Sequence, residues 1–124
     1  MVYGIGTDIV EITRIKKAME RQSFVNKIFS QEERQLFHKK KPEETAAGFF
    51  AAKEAAAKAL GTGFSKFGPK HIEILHDEAG KPYALLHGEA KNTAQNLCIN
   101  KIHISISHCK DYATAFALAE LENF

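Results

Sequence analysis

Residues 43–60, EETAAGFFAAKEAAAKAL, constrain this chain more than any other stretch. Acidic residues open the segment, alanine fills it and Gly61 follows as a stop, so the composition predicts one long helix of high intrinsic propensity. Alanine carries only a methyl group, so this helix permits close packing.

Other elements are read by periodicity. VYGIGTDIV at residues 2–10 is short, apolar and bounded by polar sequence, which predicts a buried strand. Alternation sends Tyr3, Ile5 and Ile9 one way and Gly4, Gly6 and Asp8 the other, leaving bare backbone around Asp8. Ile12, Ile15 and Met19 predict a short helix from Thr13 to Arg21, with Arg14, Lys17 and Arg21 forming a basic side. Ser30 followed by Glu33 fits a capping box, so a further helix is expected from there toward Lys39, Lys40 and Lys41, closed by Pro42.

Beyond Gly61 the glycine-rich stretch to Pro69 reads as a loop without Walker spacing. Residues 71–76 and 82–87 predict a hairpin, and residues 88–98 a helix aligned through Ala90, Ala94 and Leu97. Residues 101–107 and 112–120 alternate as a second hairpin, with Ile102, Ile104 and Ile106 inward and His103, Ser105 and Ser107 outward. The order of elements predicts a single domain over residues 1–124, α+β in class, with the alanine-rich helix packed on a mainly antiparallel sheet.

With 124 residues, roughly two thirds of the unfolded chain's surface is buried on folding, enough for one core. A deep private cleft is hard to build at that size, which favours a site shared between subunits. Lys and Arg total 17 against 15 Asp and Glu. A net charge of +2 is too small to signal nucleic acid or membrane, so an anionic ligand must be held by local geometry. Cys98 and Cys109 lack metal or disulfide spacing. The N-terminus has Asp8 where a signal peptide would be apolar, and no run approaches a membrane span, so a cytoplasmic location without membrane contact is expected.

Chemistry concentrates at three places. Asp8 on its glycine face, with Glu54 and Lys58 one helical turn apart, can assemble two carboxylates and a lysine, and hard oxygen ligands select magnesium or calcium. Carboxylates, lysine and a glycine-rich loop are the equipment of phosphoryl-type transfer. On spacing alone, Glu54 and Lys58 are equally a surface ion pair worth ~0.3–0.5 kcal/mol. Ser107 and His108 end a strand on opposite faces, which suits ligand binding better than a catalytic triad. His38, His71, His76, His87 and His103 show no metal spacing and read as structural or solvated. The Arg14, Lys17 and Arg21 face is either simply solvated or a dock for an acidic protein.

Taken together, GIGTDIVEI at 4–12, FAAKEAAAKALGTGF at 50–64, GKPY at 80–83 and ISISH at 104–108 closely resemble the holo-[acyl-carrier-protein] synthase family, the small bacterial 4'-phosphopantetheinyl transferases. The resemblance implies magnesium-dependent transfer of the 4'-phosphopantetheine arm from coenzyme A to a serine of apo acyl carrier protein, releasing adenosine 3',5'-bisphosphate. It also implies a homotrimer with sites between subunits. Carried over by position, Asp8 and Glu54 would be magnesium ligands, Lys58 would stabilise the leaving phosphate, and Glu54, directly or through a metal-bound water, would take the serine proton. Gly61, Thr62 and Gly63 would line the pyrophosphate, while Lys81, Pro82, Ser107 and His108 would meet the nucleotide from a neighbouring subunit. Arg14 and Arg21 would face the acidic carrier protein. One departure is Phe49, where family members often carry arginine; Lys39 to Lys41 are alternative cations.

Two other readings use the same sequence. A small nucleic-acid-binding module would exploit the mild basicity, but the outward positions of residues 101–107 hold His and Ser instead of stacking aromatics. A magnesium-dependent pyrophosphohydrolase of coenzyme A would differ only in using water as acceptor.

Overall fold

A computed structural model of the chain describes residues 1–122. Strand β1 (Val2–Glu11) runs directly into α1 (Ile12–Ala18), followed by α2 (Gln22–Ile28), α3 (Gln31–Gln35) and the long α4 (Pro42–Ala59). A 3-10 turn at Pro69–His71 then leads to β2 (Ile72–His76), β3 (Pro82–Leu86), α5 (Gly88–Asn96), β4 (Ile99–His108) and β5 (Tyr112–Leu121). The strands form two antiparallel sheets, one ordered β1-β5-β4 and the other β2-β3. The first strand therefore pairs with the last, with Asp8 opposite Ala115 and Gly6 opposite Ala117.

Helix α4 lies on the inner face of the larger sheet through small residues from both sides. Ala113, Ala115, Ala117 and Ala119 of β5 are buried, as are Ala51, Ala52, Ala55, Ala56 and Ala59 of α4. The approach is closest at β1. A Cβ placed on Gly6 would lie 2.0 Å from the Ala55 carbonyl oxygen, and one on Gly4 would lie 2.3 Å from that of Ala59. Glycine is required at both positions, because the atom in the way is helix backbone. At the far end Gly61 has φ +81°, the left-handed conformation that closes a helix without a Cβ penalty.

Four sequence expectations change. Strand β1 is buried on one face only: Tyr3, Ile5 and Ile9 are exposed, because α4 covers the glycine face and leaves the apolar one bare. The helix expected from Thr13 to Arg21 stops at Ala18, and Arg21 is the cap residue of the separate α2. The capping box at Ser30 is present, with the Ser30 hydroxyl accepting from Glu33 N (3.1 Å) and Glu33 Oε1 accepting from Ser30 N (2.8 Å). Its helix ends at Gln35, well short of the lysines, and Pro42 opens α4 as its first residue instead of closing the preceding segment.

The alternation assigned to β4 and β5 holds. Ile102 and Ile104 are buried, while Ser105 and Ser107 are exposed. Consequently the outer face of the larger sheet carries Ile5, Ile9, Phe116 and Tyr112, of which Ile9 is 65% exposed. Among the described residues no helix is long and apolar enough to cross a membrane.

Candidate active site

Strand β1 and helix α4 bring their polar residues together beyond the glycine seam. Asp8 is two residues past Gly6, on the face that meets the helix. Glu54 stands four residues before Lys58 on α4, so both lie on the stripe that β1 approaches. The Lys58 ammonium donates to the Thr7 carbonyl (2.9 Å) and sits 3.5 Å from Asp8 Oδ1. This contact ties the two elements across the seam. It also excludes the simple i to i+4 surface pair, since Lys58 is engaged with β1.

Asp8 and Glu54 line an open pocket of about 660 Å³ together with Glu11, Arg14, Arg21 and Tyr112. Its floor is apolar, formed by Ile15, Ala18, Phe24 and Phe50. The pocket is thus lined by both acidic and basic side chains. Arg14 of α1 and Arg21, the cap residue of α2, line the same pocket, and both also line a neighbouring cavity with Lys17.

Burial pushes the Asp8 carboxyl above its ordinary range, against the pull of Lys58 and the Ile9 N–H. Burial, then the Asp8 charge, pushes Glu54 the same way, with Lys58 opposing. A carboxylate whose ionisation is disfavoured by the charge of a neighbouring carboxylate suits a cation between the two. Among the described residues no cluster of three His, Cys, Asp or Glu side chains is arranged to hold a metal. Two carboxylates without a third protein ligand fit magnesium, which keeps several waters and takes its remaining oxygens from substrate phosphates. Softer metals would need nitrogen or sulfur donors.

The remaining site residues of the sequence analysis lie elsewhere on the same chain. Gly61 and Thr62 line a smaller cavity of about 200 Å³ with Tyr3, Lys66, Thr93 and Asn96; Gly63 follows with φ +56°. Pro82 and His108 line a third cavity of about 260 Å³ with Thr45, Phe49 and His76. Thr45 is nine residues from Glu54, or about 14 Å along the helix. Within one chain, the nucleotide-side residues and the carboxylates are therefore separate. Lys81 sits in the exposed β2-β3 turn, its N–H donating to Asp77 Oδ1 (2.9 Å), and Ser107 faces the outer side of the sheet.

Phe49 is 2% exposed, edge-on to His76 with ring centroids 5.5 Å apart and close to Phe37 at 6.0 Å. It is a core residue that walls the third cavity. The segment carrying Lys39 to Lys41 is held nearby, since His38 N donates to Thr45 Oγ1 (3.1 Å). The other histidines are structurally engaged: His71 Nδ1 accepts from Gly68 N, His87 meets Glu73 at 3.0 Å and His103 meets Glu120 at 3.3 Å.

Sequence reasoning missed three features. Phe50 precedes Glu54 by one helical turn, so its place beside the carboxylate was available from spacing. Phe24 belongs to a helix that was not foreseen. Lys53 is wholly buried, its ammonium 2.8 Å from Glu33 Oε2 and donating to the Pro69 (3.0 Å) and Ile72 (2.7 Å) carbonyls. Burial pulls that ammonium below its ordinary value while Glu33 opposes the shift. Glu33, the capping-box residue, also accepts from Ile74 N (2.9 Å). Nothing in local sequence connects Lys53 with Glu33, which are twenty residues apart.

Comparison with known proteins places this arrangement. The 4'-phosphopantetheinyl transferase superfamily model matches residues 4–117. The chain is 53% identical to the holo-[acyl-carrier-protein] synthase of Clostridium novyi (strain NT), covering 99% of this chain and 91% of that protein. It is also similar to the crystal structure of the Neisseria meningitidis holo-[acyl-carrier-protein] synthase, with TM-score 0.89 and 38% identity over 97% of this chain and 99% of that one. The Helicobacter pylori holo-[acyl-carrier-protein] synthase, solved in complex with coenzyme A, superposes with TM-score 0.83 at 34% identity over 94% and 99% of the two chains. With the family model spanning residues 4–117 and relatives this similar over nearly the whole chain, the chain belongs to the 4'-phosphopantetheinyl transferase superfamily.

Proposed function

We propose that this chain is a holo-[acyl-carrier-protein] synthase, moving the 4'-phosphopantetheine arm of coenzyme A onto a serine of an apo acyl carrier protein. The observation that carries the reading is one pocket lined by Asp8 and Glu54 together with Arg14 and Arg21, in a chain of this superfamily. Similarity to relatives bearing that name, and to one solved with coenzyme A, supports the donor and the acceptor.

In the reaction the serine oxygen bonds to the phosphorus that carries pantetheine, and the bridging P–O bond of the pyrophosphate breaks. Adenosine 3',5'-bisphosphate leaves. Asp8 and Glu54 would hold magnesium, which supplies charge neutralisation on the pyrophosphate when bound. Glu54 would accept the proton lost by the serine hydroxyl. Lys58, which donates to the Thr7 carbonyl, would place a positive charge beside the departing phosphate. Arg14 and Arg21 would receive an acidic surface of the carrier protein, while Phe24 and Phe50 offer an apolar seat beside the carboxylates.

The same reading assigns Gly61, Thr62 and Gly63 to the pyrophosphate and Lys81, Pro82, Ser107 and His108 to the nucleotide. The distance along α4 between the two groups supports supplying the second set from a neighbouring copy. The exposed apolar face of the larger sheet offers a surface for that association, and the proposed assembly is a homotrimer.

The test is intact-mass spectrometry of an apo acyl carrier protein incubated with this protein, coenzyme A and magnesium, with a parallel sample containing chelator. The expected result is a gain of one phosphopantetheine group that chelator abolishes. Consumption of coenzyme A without that gain would identify a hydrolase, and no consumption would refute the transferase reading.

A further inference from the structure

We propose that Lys53, charged against Glu33, is a positioning residue that fixes the glycine-rich loop 61–68 in the shape that receives the substrate pyrophosphate; the proposal rests on the transferase reading above. The loop leaves α4 at Gly61 and is held at that end by its own helix, with Gly61 N donating to Lys58 O (2.9 Å) and Gly63 N to Ala57 O (3.2 Å). Between Phe64 and Phe67, no backbone N–H or carbonyl is paired with backbone outside the loop, among the described residues. The far end is captured by Lys53. Its ammonium takes the carbonyls of Pro69 (3.0 Å) and Ile72 (2.7 Å), which bracket the turn returning the chain to β2.

Lys53 lies six residues before the end of α4, about 9 Å back along the axis. The loop must therefore double back along the helix to reach it. An ammonium has three donors, and here three groups use them: the Glu33 carboxylate and two carbonyls. Glu33 is fixed in turn by Ser30 N and Ile74 N. Buried ion pairs contribute little to stability that an apolar pair of equal volume would not. What this pair supplies instead is direction: four elements converge on one point, and the loop closes between it and the helix end. The neighbouring residue, Glu54, points into the active-site pocket, about 100° around the helix from Lys53.

The test is the double variant K53M/E33Q, which removes both charges and keeps an acceptor at position 33. The amides of Gly68 and His71 should exchange with deuterium at least about tenfold faster than in the parent, with β1 and β5 unaffected. KM for coenzyme A should rise roughly tenfold, while kcat at saturating coenzyme A and KM for the carrier protein stay within about twofold. Unchanged exchange at Gly68 and His71, or a fall in kcat with KM for coenzyme A unmoved, would overturn the proposal. Should the variant fail to fold, native-state exchange of the parent in mild guanidinium decides: Gly68 and His71 should open together with α4, and opening at distinctly lower free energy would overturn the clamp. If the parent fails to transfer phosphopantetheine, the transferase reading falls, and the exchange measurement still judges the clamp.

Discussion

Replacing Gly6 by alanine tests the link between the seam and the site. The new methyl carbon would lie 2.0 Å from the Ala55 carbonyl oxygen, whereas such contacts do not form below 3.0 Å. Strand and helix must therefore separate by about 1 Å, since backbone cannot rotate aside as a side chain would. Overpacking costs ~1–3 kcal/mol, and this case belongs near the top of that range. The reduced freedom of the unfolded chain offsets ~0.4–1 kcal/mol. A net loss of roughly 2 kcal/mol corresponds to a fall in Tm of about 6–10 °C for a chain of this length. Asp8 rides on the displaced strand and Glu54 on the helix, so turnover should fall by ~10²-fold, the usual consequence of a 1 Å misplacement. Scanning calorimetry reads the first effect and single-turnover mass spectrometry the second. Gly68→Ala is the control: it has φ −94° and open space around its Cβ position, so it should melt at or slightly above the parent. A Gly6→Ala protein melting within ~1 °C of the parent, or turning over at the parental rate, would refute the idea that backbone contact sets the carboxylate spacing.

Other substitutions probe the site's charges and surfaces. Asp8→Asn and Glu54→Gln should each abolish transfer yet raise the metal-free Tm by a few degrees at neutral pH. Both carboxyls have folded affinities for protons above their unfolded ones, so their stabilising contribution is complete below the ordinary carboxylate range and is lost as pH rises through the raised folded values. The thermal advantage of each variant should accordingly vanish on acidification, and a Tm difference independent of pH would contradict it. Magnesium should raise the Tm of the parent and leave both variants unmoved; at about 100 times its Kd the linkage amounts to ~2.7 kcal/mol. Arg14→Glu with Arg21→Glu should raise KM for the carrier protein by at least ~10-fold without altering KM for coenzyme A, read by the same mass assay at varied substrate. Phe116→Glu, on the exposed sheet face, should lower the mass measured by light scattering to that of one chain and abolish turnover while leaving circular dichroism unchanged.

The sequence carried the fold where a local rule had a single outcome. Alanine content and Gly61 delimited α4, strict alternation delimited β4 and β5, and the Ser30–Glu33 box placed a helix start. Ends were less legible. Nothing local announces that α1 breaks after Ala18 or that α3 lasts only five residues, and the contacts of Phe29 with Phe24 and with Phe37 between these elements are tertiary. The side of β1 that is buried ran against hydropathy: glycines face the core and isoleucines face out, a choice forced by the closeness of α4. For the site, spacing put Glu54 and Lys58 on one face of α4 and Asp8 on the glycine face of β1, but only the family resemblance favoured the three as one candidate site. The Lys53 pairing was not readable, since it joins four elements that only the folded chain brings together.

The alanine and glycine seam also bears on motion. Methyl groups and hydrogen atoms have no alternative rotamers, so the contact between β1 and α4 has no discrete side-chain states among which to hop. The relative position of Asp8 and Glu54 should then fluctuate only as the backbone does, on the picosecond to nanosecond scale, with high amide order parameters along both elements. If Asp8 and Glu54 hold magnesium as proposed, a backbone joint of this kind would present them to the cation with little backbone ordering left to be done at binding.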